Sequence, residues 1–202
     1  MKYLIAFIIV IFVFVKINNS SKTPSKICPL KEDSIVVLGD SLANGYGVGE
    51  KESFAFKISI ALNKKPSKMG IDGETTIGLL NRMDLVLDSI PSIAAIIISI
   101  GGNDFLRKIE KSQTLFNLES IILKAKKRTN CVVLLGVPSS IYSNSVDSMY
   151  INLAKKYKLI LDLTSMPSIF KNRDLKVDAI HPNENGHNLI AKNMLDLINK
   201  YK

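Results

Sequence analysis

Four runs of branched aliphatic residues, SIVVL (34–38), IAAIIISI (93–100), CVVLLGV (131–137) and LILDL (159–163), show no alternation of polar and apolar positions. Strands covered on both faces read this way, because neither face meets water. Between them lie stretches with helical spacing: Phe54 to Asn63, Thr76 to Ser89, the set Leu115, Leu118, Ile121, Ile122 and Ala125, then Val146 to Tyr157 and Asn188 to Tyr201. A fifth strand is expected at PSKMGI (66–71), where a proline and few apolar residues suit an edge. The succession of strands and helices predicts an α/β fold, a three-layer α/β/α sandwich with a central, mainly parallel five-stranded sheet. It occupies residues 34–202, one domain, as suits this chain length.

The amino end breaks the pattern. Tyr3 to Val15 is an unbroken apolar run flanked by Lys2 and Lys16. As a helix it would span roughly 20 Å, short of the ~30 Å hydrocarbon layer, so a signal-peptide hydrophobic region fits its length. No small-x-small cleavage site follows in KINNSSKTPSK, so an uncleaved membrane anchor is the other reading of residues 1–17. Ser25-Lys26-Ile27 ahead of Cys28 argues against lipid attachment there. Either reading exports the domain to the periplasm or cell envelope, behind a polar linker at 18–33, with membrane association through the amino-terminal segment as one outcome.

Charge narrows the partners. The net charge is +9, and removing Lys2 and Lys16 with the leader lowers it to +7. The densest basic cluster, KAKKR at 124–128, closes a helical stretch, where cations favour the dipole. No nucleic-acid partner is expected, and a monomer is. Cys28 and Cys131 are able to pair in an oxidising compartment, but two cysteines alone do not argue for a bridge.

In open parallel sheets, ligands bind at the carboxyl ends of the strands. Gly39-Asp40-Ser41 follows the first run, Gly101-Gly102-Asn103-Asp104 the third, and Asp72-Gly73-Glu74-Thr75 the edge strand, with the glycine-rich turn 45–49 beyond Ser41. Serine becomes a nucleophile when a base takes its proton and an acceptor orients that base. Both histidines lie in VDAIHPNENGH (177–187), and the three-residue spacing of Asp178 and His181 lets the carboxylate bond one ring nitrogen while the other faces Ser41. His187 falls at the start of the last helix, where capping or surface decoration is expected. A metal site would need more ligands, since six-residue histidine spacing across a proline matches no common zinc pattern. The α/β-hydrolase elbow fails because Ala43 stands where its second glycine belongs. Candidate oxyanion donors are the N–H groups of Ser41 and Gly73 and the side-chain amide of Asn103.

GDSL at 39–42, Gly73 in DGETT, GGND at 101–104 and DAIH at 178–181 resemble the four signature blocks of the SGNH, or GDSL, hydrolase superfamily, over residue 34 to the C-terminus. VLGDSLANGYGV and GGNDFLR are most similar to its bacterial periplasmic acyl-CoA thioesterase, lysophospholipase and arylesterase branch. The resemblance implies Ser41 as nucleophile, His181 as base, Asp178 as its orienter, and Ser41, Gly73 and Asn103 as the oxyanion hole. The chain departs from the family pattern at Lys68, where an asparagine is common nearby, at Glu74, where aspartate is, and at Ala179, where glycine is.

The implied reaction is hydrolysis of acyl esters or thioesters through an acyl-enzyme, without metal or organic cofactor. Phe105, Leu106, Pro138 and Ile141, with Met166 and Ile169, are candidates for an apolar acyl groove. Two alternatives share the fold: a deacetylase of envelope carbohydrate, and an envelope binding protein without chemistry.

Overall fold

A computed structural model describes residues 27–202. The run from Tyr3 to Val15 and most of the linker lie outside the described residues. Five parallel strands form one sheet in the order β2-β1-β3-β4-β5: β1 (Ser34–Gly39), β2 (Lys65–Gly70), β3 (Ile93–Ser99), β4 (Val132–Leu135) and β5 (Ile160–Asp162). The helices are α1 (Ser41–Asn44), α2 (Phe54–Ala61), α3 (Thr76–Asp88), α4 (Gly102–Leu106), α5 (Lys111–Arg128), α6 (Ser148–Tyr157), α7 (Ser165–Lys171) and α8 (Glu184–Tyr201). The expected α/β sandwich is present.

The uniform apolarity of the inner strands has a direct cause. Ile35, Val37, Ala95, Ile97, Val133 and Leu135 face one core with α2, α7 and α8. Their immediate neighbours Val36, Leu38, Ile96, Ile98, Val132 and Leu134 face a second core with α3, α5 and α6. Successive side chains point to opposite faces and both faces are covered, so almost no position is left for a polar residue, the buried Ser99 at the end of β3 being the exception. Lys65 and Pro66 of β2 are exposed, as the edge allows.

The amino-terminal strap departs from expectation. Cys28 and Cys131 are bonded, with Cα atoms 4.3 Å apart across 103 residues of sequence. Cys28 and Leu30, assigned to the linker, are buried in the first core, and the Cys28 N–H donates to the Tyr201 carbonyl at 3.0 Å. The bridge ties the strap to the start of β4, at the opposite edge of the sheet from the strand ends that carry the polar motifs. Sequence spacing carried no sign of it because the two cysteines meet only through the packing of α8 and β4.

Three of the four basic residues closing α5 bond to neighbouring elements, and Lys127 is exposed. Lys124 pairs with Asp84, Lys126 Nζ donates to the Tyr157 carbonyl at 3.0 Å, and Arg128 donates to the Leu87 and Ile90 carbonyls at 2.6 and 2.8 Å. Arg128 thereby caps the end of α3.

A cross-link closing so long a loop removes conformational freedom from the unfolded chain, an effect of about 2–4 kcal/mol. Replacing both cysteines with serine is expected to lower the unfolding free energy by about that amount. Urea denaturation of parent and variant, with and without reductant, measures it; only the parent should respond to reductant.

Candidate active site

The sheet order reverses between β1 and β3, and the crevice at their carboxyl ends is where an open parallel sheet receives ligands. Ser41 follows β1 and Asn103 follows β3, so the two motifs flank this crevice. The turn out of β1 demands glycine: a Cβ on Gly39 would lie 1.8 Å from the Ser99 carbonyl oxygen. Asp40 then caps α1 by accepting the Leu42 N–H at 3.1 Å, which puts Ser41 at the first position of the helix, 8% exposed.

The far end of the chain supplies the rest. The segment before α8 doubles back through a bridge between Lys176 and Pro182 and a bond from the Val177 N–H to the His181 carbonyl. Asp178 Oδ1 accepts the N–H groups of Ile180 and His181, each at 2.8 Å, and Oδ2 lies 2.7 Å from His181 Nδ1. His181 Nε2 lies 3.0 Å from Ser41 Oγ. An Nδ1–H held by Asp178 leaves Nε2 unprotonated and able to accept the Ser41 hydroxyl proton. Burial works to raise the Asp178 carboxyl, but the His181 ring and the His181 and Ile180 amides outweigh it and hold Asp178 below its ordinary value.

A pocket of about 400 Å³ opens beside this line of three groups. Ser41, Asn103, His181 and the four groove candidates Phe105, Leu106, Pro138 and Ile141 all line it, as do Met166 and Ala179. Ile169 does not; it is fully buried in the first core, on the same face of α7 as Met166 and one turn further along. Phe170, which spacing did not single out, takes a place on the wall. Gly73 is outside the lining. It occupies the neighbouring loop, where its carbonyl accepts from Arg107 Nη2 at 2.7 Å.

Asn103 connects that loop to the pocket. Its Nδ2 donates to the Glu74 carbonyl at 3.0 Å and has only a long contact, 3.5 Å, to Asp40 Oδ2, so one of its two N–H groups is left for another acceptor. The family departures are absorbed locally. Glu74 takes a two-pronged bond from Arg82, 2.6 Å on each oxygen, and Arg82 also donates to the Met69 carbonyl. Lys68 donates to the Asn44 carbonyl at 3.1 Å. Behind Asn103, the buried Asp104 accepts from the Thr76 N–H and from the hydroxyls of Thr76 and Thr114, tying α4 to α3 and α5.

His187 is neither a surface residue nor the cap of α8. Asn183 begins α8 by accepting the Gly186 N–H, and His187 is fully buried in the first turn, stacked on Phe54 at 5.7 Å with Nδ1 accepting the Phe54 N–H at 3.2 Å. A helix that starts at residue 184, earlier than its apolar period suggested, rotates this ring inward. It shares no site with His181.

A doubly covered parallel sheet with serine, histidine and aspartate in line at its carboxyl edge defines the class: a serine hydrolase of ester bonds. The chain belongs to the GDSL-like lipase/acylhydrolase family, whose model matches residues 37–189. Over 167 residues it is 26% identical to thioesterase 1/protease 1/lysophospholipase L1 of Escherichia coli (strain K12), covering 79% of this chain and 80% of that one. The crystal structure of the psychrotrophic esterase EstA from Pseudoalteromonas sp. superimposes with a TM-score of 0.69 at 26% identity, over 84% of this chain and 98% of that one. AlinE4, an SGNH-hydrolase family esterase, matches at 0.65 and 29% identity, over 84% and 96%.

Two buried groups set opposite pH dependences. Burial pushes His187 down from 6.5 to about 4, with the Lys57 and Lys68 charges helping and the Tyr46 backbone resisting. Its contribution to stability is therefore full above 6.5 and is lost as pH falls toward 4. Burial pushes Asp40 up from 3.8 to about 7 against the pull of the Leu42 amide, and the charges of Asp104 and Glu74 add to the rise. Its contribution is full below 3.8 and lost as pH rises through about 7. Asp40→Asn should gain melting temperature relative to the parent between those values as pH rises. His187→Gln, which keeps an acceptor for the Phe54 N–H, should gain relative to the parent as pH falls below 6.5. Thermal melts of the three proteins across the pH range read both signs.

Proposed function

We propose that the protein hydrolyses acyl esters or thioesters with Ser41 as nucleophile, His181 as general base and acid, and Asp178 as the residue that orients His181. The observation that supports this most is the continuous pair of contacts, 3.0 Å from Ser41 Oγ to His181 Nε2 and 2.7 Å from His181 Nδ1 to Asp178. Ser41 Oγ attacks the acyl carbonyl as its proton passes to His181 Nε2. The tetrahedral oxyanion is met by the N–H groups of Ser41 and Gly73 and by Asn103 Nδ2, donors worth on the order of 3 kcal/mol each. Collapse breaks the bond to the leaving alcohol or thiol, which takes the proton from His181. Water, giving its proton to the same nitrogen, then attacks the acyl-enzyme, and the acid leaves as the proton returns to Ser41 Oγ.

The acyl portion is proposed to be more than acetyl. Phe105, Leu106, Ile141, Met166 and Phe170 present apolar surface to a pocket whose ionisable groups are confined to the chemical end, where Asp40 and His181 lie. The protein is further proposed to work in the cell envelope, either freed from its leader or held to the membrane by it. The apolar run Tyr3–Val15 and the Cys28–Cys131 bridge, which needs an oxidising compartment to persist, support this reading.

Ser41→Ala should abolish turnover of p-nitrophenyl butyrate by purified protein; retained turnover would rule the mechanism out. Across a series of p-nitrophenyl esters, kcat/KM should rise by up to about fourfold per added methylene until the pocket is filled, the worth of a buried CH₂. A flat series from acetyl onward would favour deacetylation of envelope carbohydrate instead.

A further inference from the structure

Tyr46 stands in the glycine-rich turn that links α1 to α2, and its ring packs against the ring of His181, with centroids 4.3 Å apart and planes inclined by 37°. The backbone places it there. The Tyr46 N–H donates to the carbonyl of Ser41 at 3.0 Å, so the turn is hung from the same residue that carries the hydroxyl. On the other side the segment bearing His181 closes down over Gly47: a Cβ at that position, where φ is +85°, would lie 2.9 Å from Val177 Cγ2 and 3.6 Å from the Pro182 carbonyl oxygen. Beyond the turn, His187 holds the first N–H of α2. One aromatic side chain is thus fixed to the backbone of Ser41 at one end and to the imidazole face of His181 at the other.

We infer that Tyr46 is a positioning residue for the reaction: its ring face keeps the His181 imidazole in line between Ser41 and Asp178 and favours the positively charged imidazole formed when the hydroxyl proton is taken. This rests on His181 being the base. A cation over an aromatic face within about 6 Å is attracted by the ring quadrupole, by about 0.5–1 kcal/mol at a partly exposed site. Because His181 is charged in the transition state and neutral before it, the attraction acts on kcat more than on substrate binding. The hydroxyl of Tyr46 has no part in this.

Other groups facing His181 do not supply the same effect. Asp178, on its own segment, accepts from Nδ1, and Asp40 lies across the pocket at the start of α1. The pocket walls from residues 137–141 and from α7 present only Val137, Pro138, Ser139, Ser140, Ile141, Met166 and Phe170, none of which titrates near neutrality. Tyr46 is 46% exposed, so replacing it does not empty a core.

Steady-state hydrolysis of p-nitrophenyl butyrate by the full chain, measured across pH about 5 to 9 for the parent, Tyr46→Phe and Tyr46→Leu, tests the inference. Phenylalanine keeps the ring face and should match the parent within about twofold. Leucine keeps apolar bulk without the face. It should lower kcat by about two- to fivefold, leave KM within about twofold, and move the acidic limb of the kcat/KM profile to lower pH, because the charged imidazole loses support. The inference is overturned if leucine leaves both kcat and the acidic limb at parental values, or if phenylalanine and leucine fall equally. Absence of turnover in the parent would sink the hydrolase reading itself, a result distinct from either of these.

Discussion

A single hydrogen bond, from Ser41 Oγ to His181 Nε2, joins residues 140 positions apart, and most of the architecture bears on whether it forms. The hydroxyl is fixed by a strand buried on both faces, a turn that no Cβ could enter, and a helix capped by the preceding aspartate. The imidazole is fixed by a short loop that folds back on itself around Asp178. Neither end has spare reach. A serine and a histidine on such short tethers meet only if the sheet beneath them is rigid, and a sheet covered by helices on both sides provides that rigidity.

Buried polar groups behind the reacting atoms serve the same end. Asp104 gathers three donors from α3 and α5, and Glu74 and Arg82 lock the neighbouring loop onto the strand ends. Asn103 is held between them, aimed by the Glu74 carbonyl. Each of these groups would carry a desolvation cost alone; bonded together they fix the positions of the loops that the strands deliver. Asp40 is held less fully, by the Leu42 N–H and a long contact from Asn103, with the charges of Asp104 and Glu74 acting on it. Its raised value follows from burial and from those charges.

What could be read from the sequence follows from which interactions are local. The inner strands were legible because burial on both faces removes nearly every polar position, and the long helices because a covered stripe leaves a 3.6-residue period. The short helices α1, α4 and α7 have no room for a period and exist because caps and neighbours hold them. Ser41, Asp178 and His181 were legible as residue types in a workable order, with Asp178 and His181 close enough in sequence to bond directly. Tyr46, Phe170, Asp104 and His187 were not, since each acquires its place from an element distant in the chain. His187 shows the limit most clearly: a one-turn difference in where α8 starts decides between a surface ring and a buried one. The disulfide is a similar case, two cysteines brought together across 103 residues by the packing of the strap against β4.

The central claim is that the Ser41 hydroxyl is activated by His181 across that one bond. Reaction with a fluorophosphonate, followed by peptide mass mapping, tests it without assuming any natural substrate. The account predicts a covalent phosphonyl adduct on Ser41 in the parent and its loss in His181→Ala. An unlabelled parent, or an adduct formed at the parental rate without the imidazole, would contradict it.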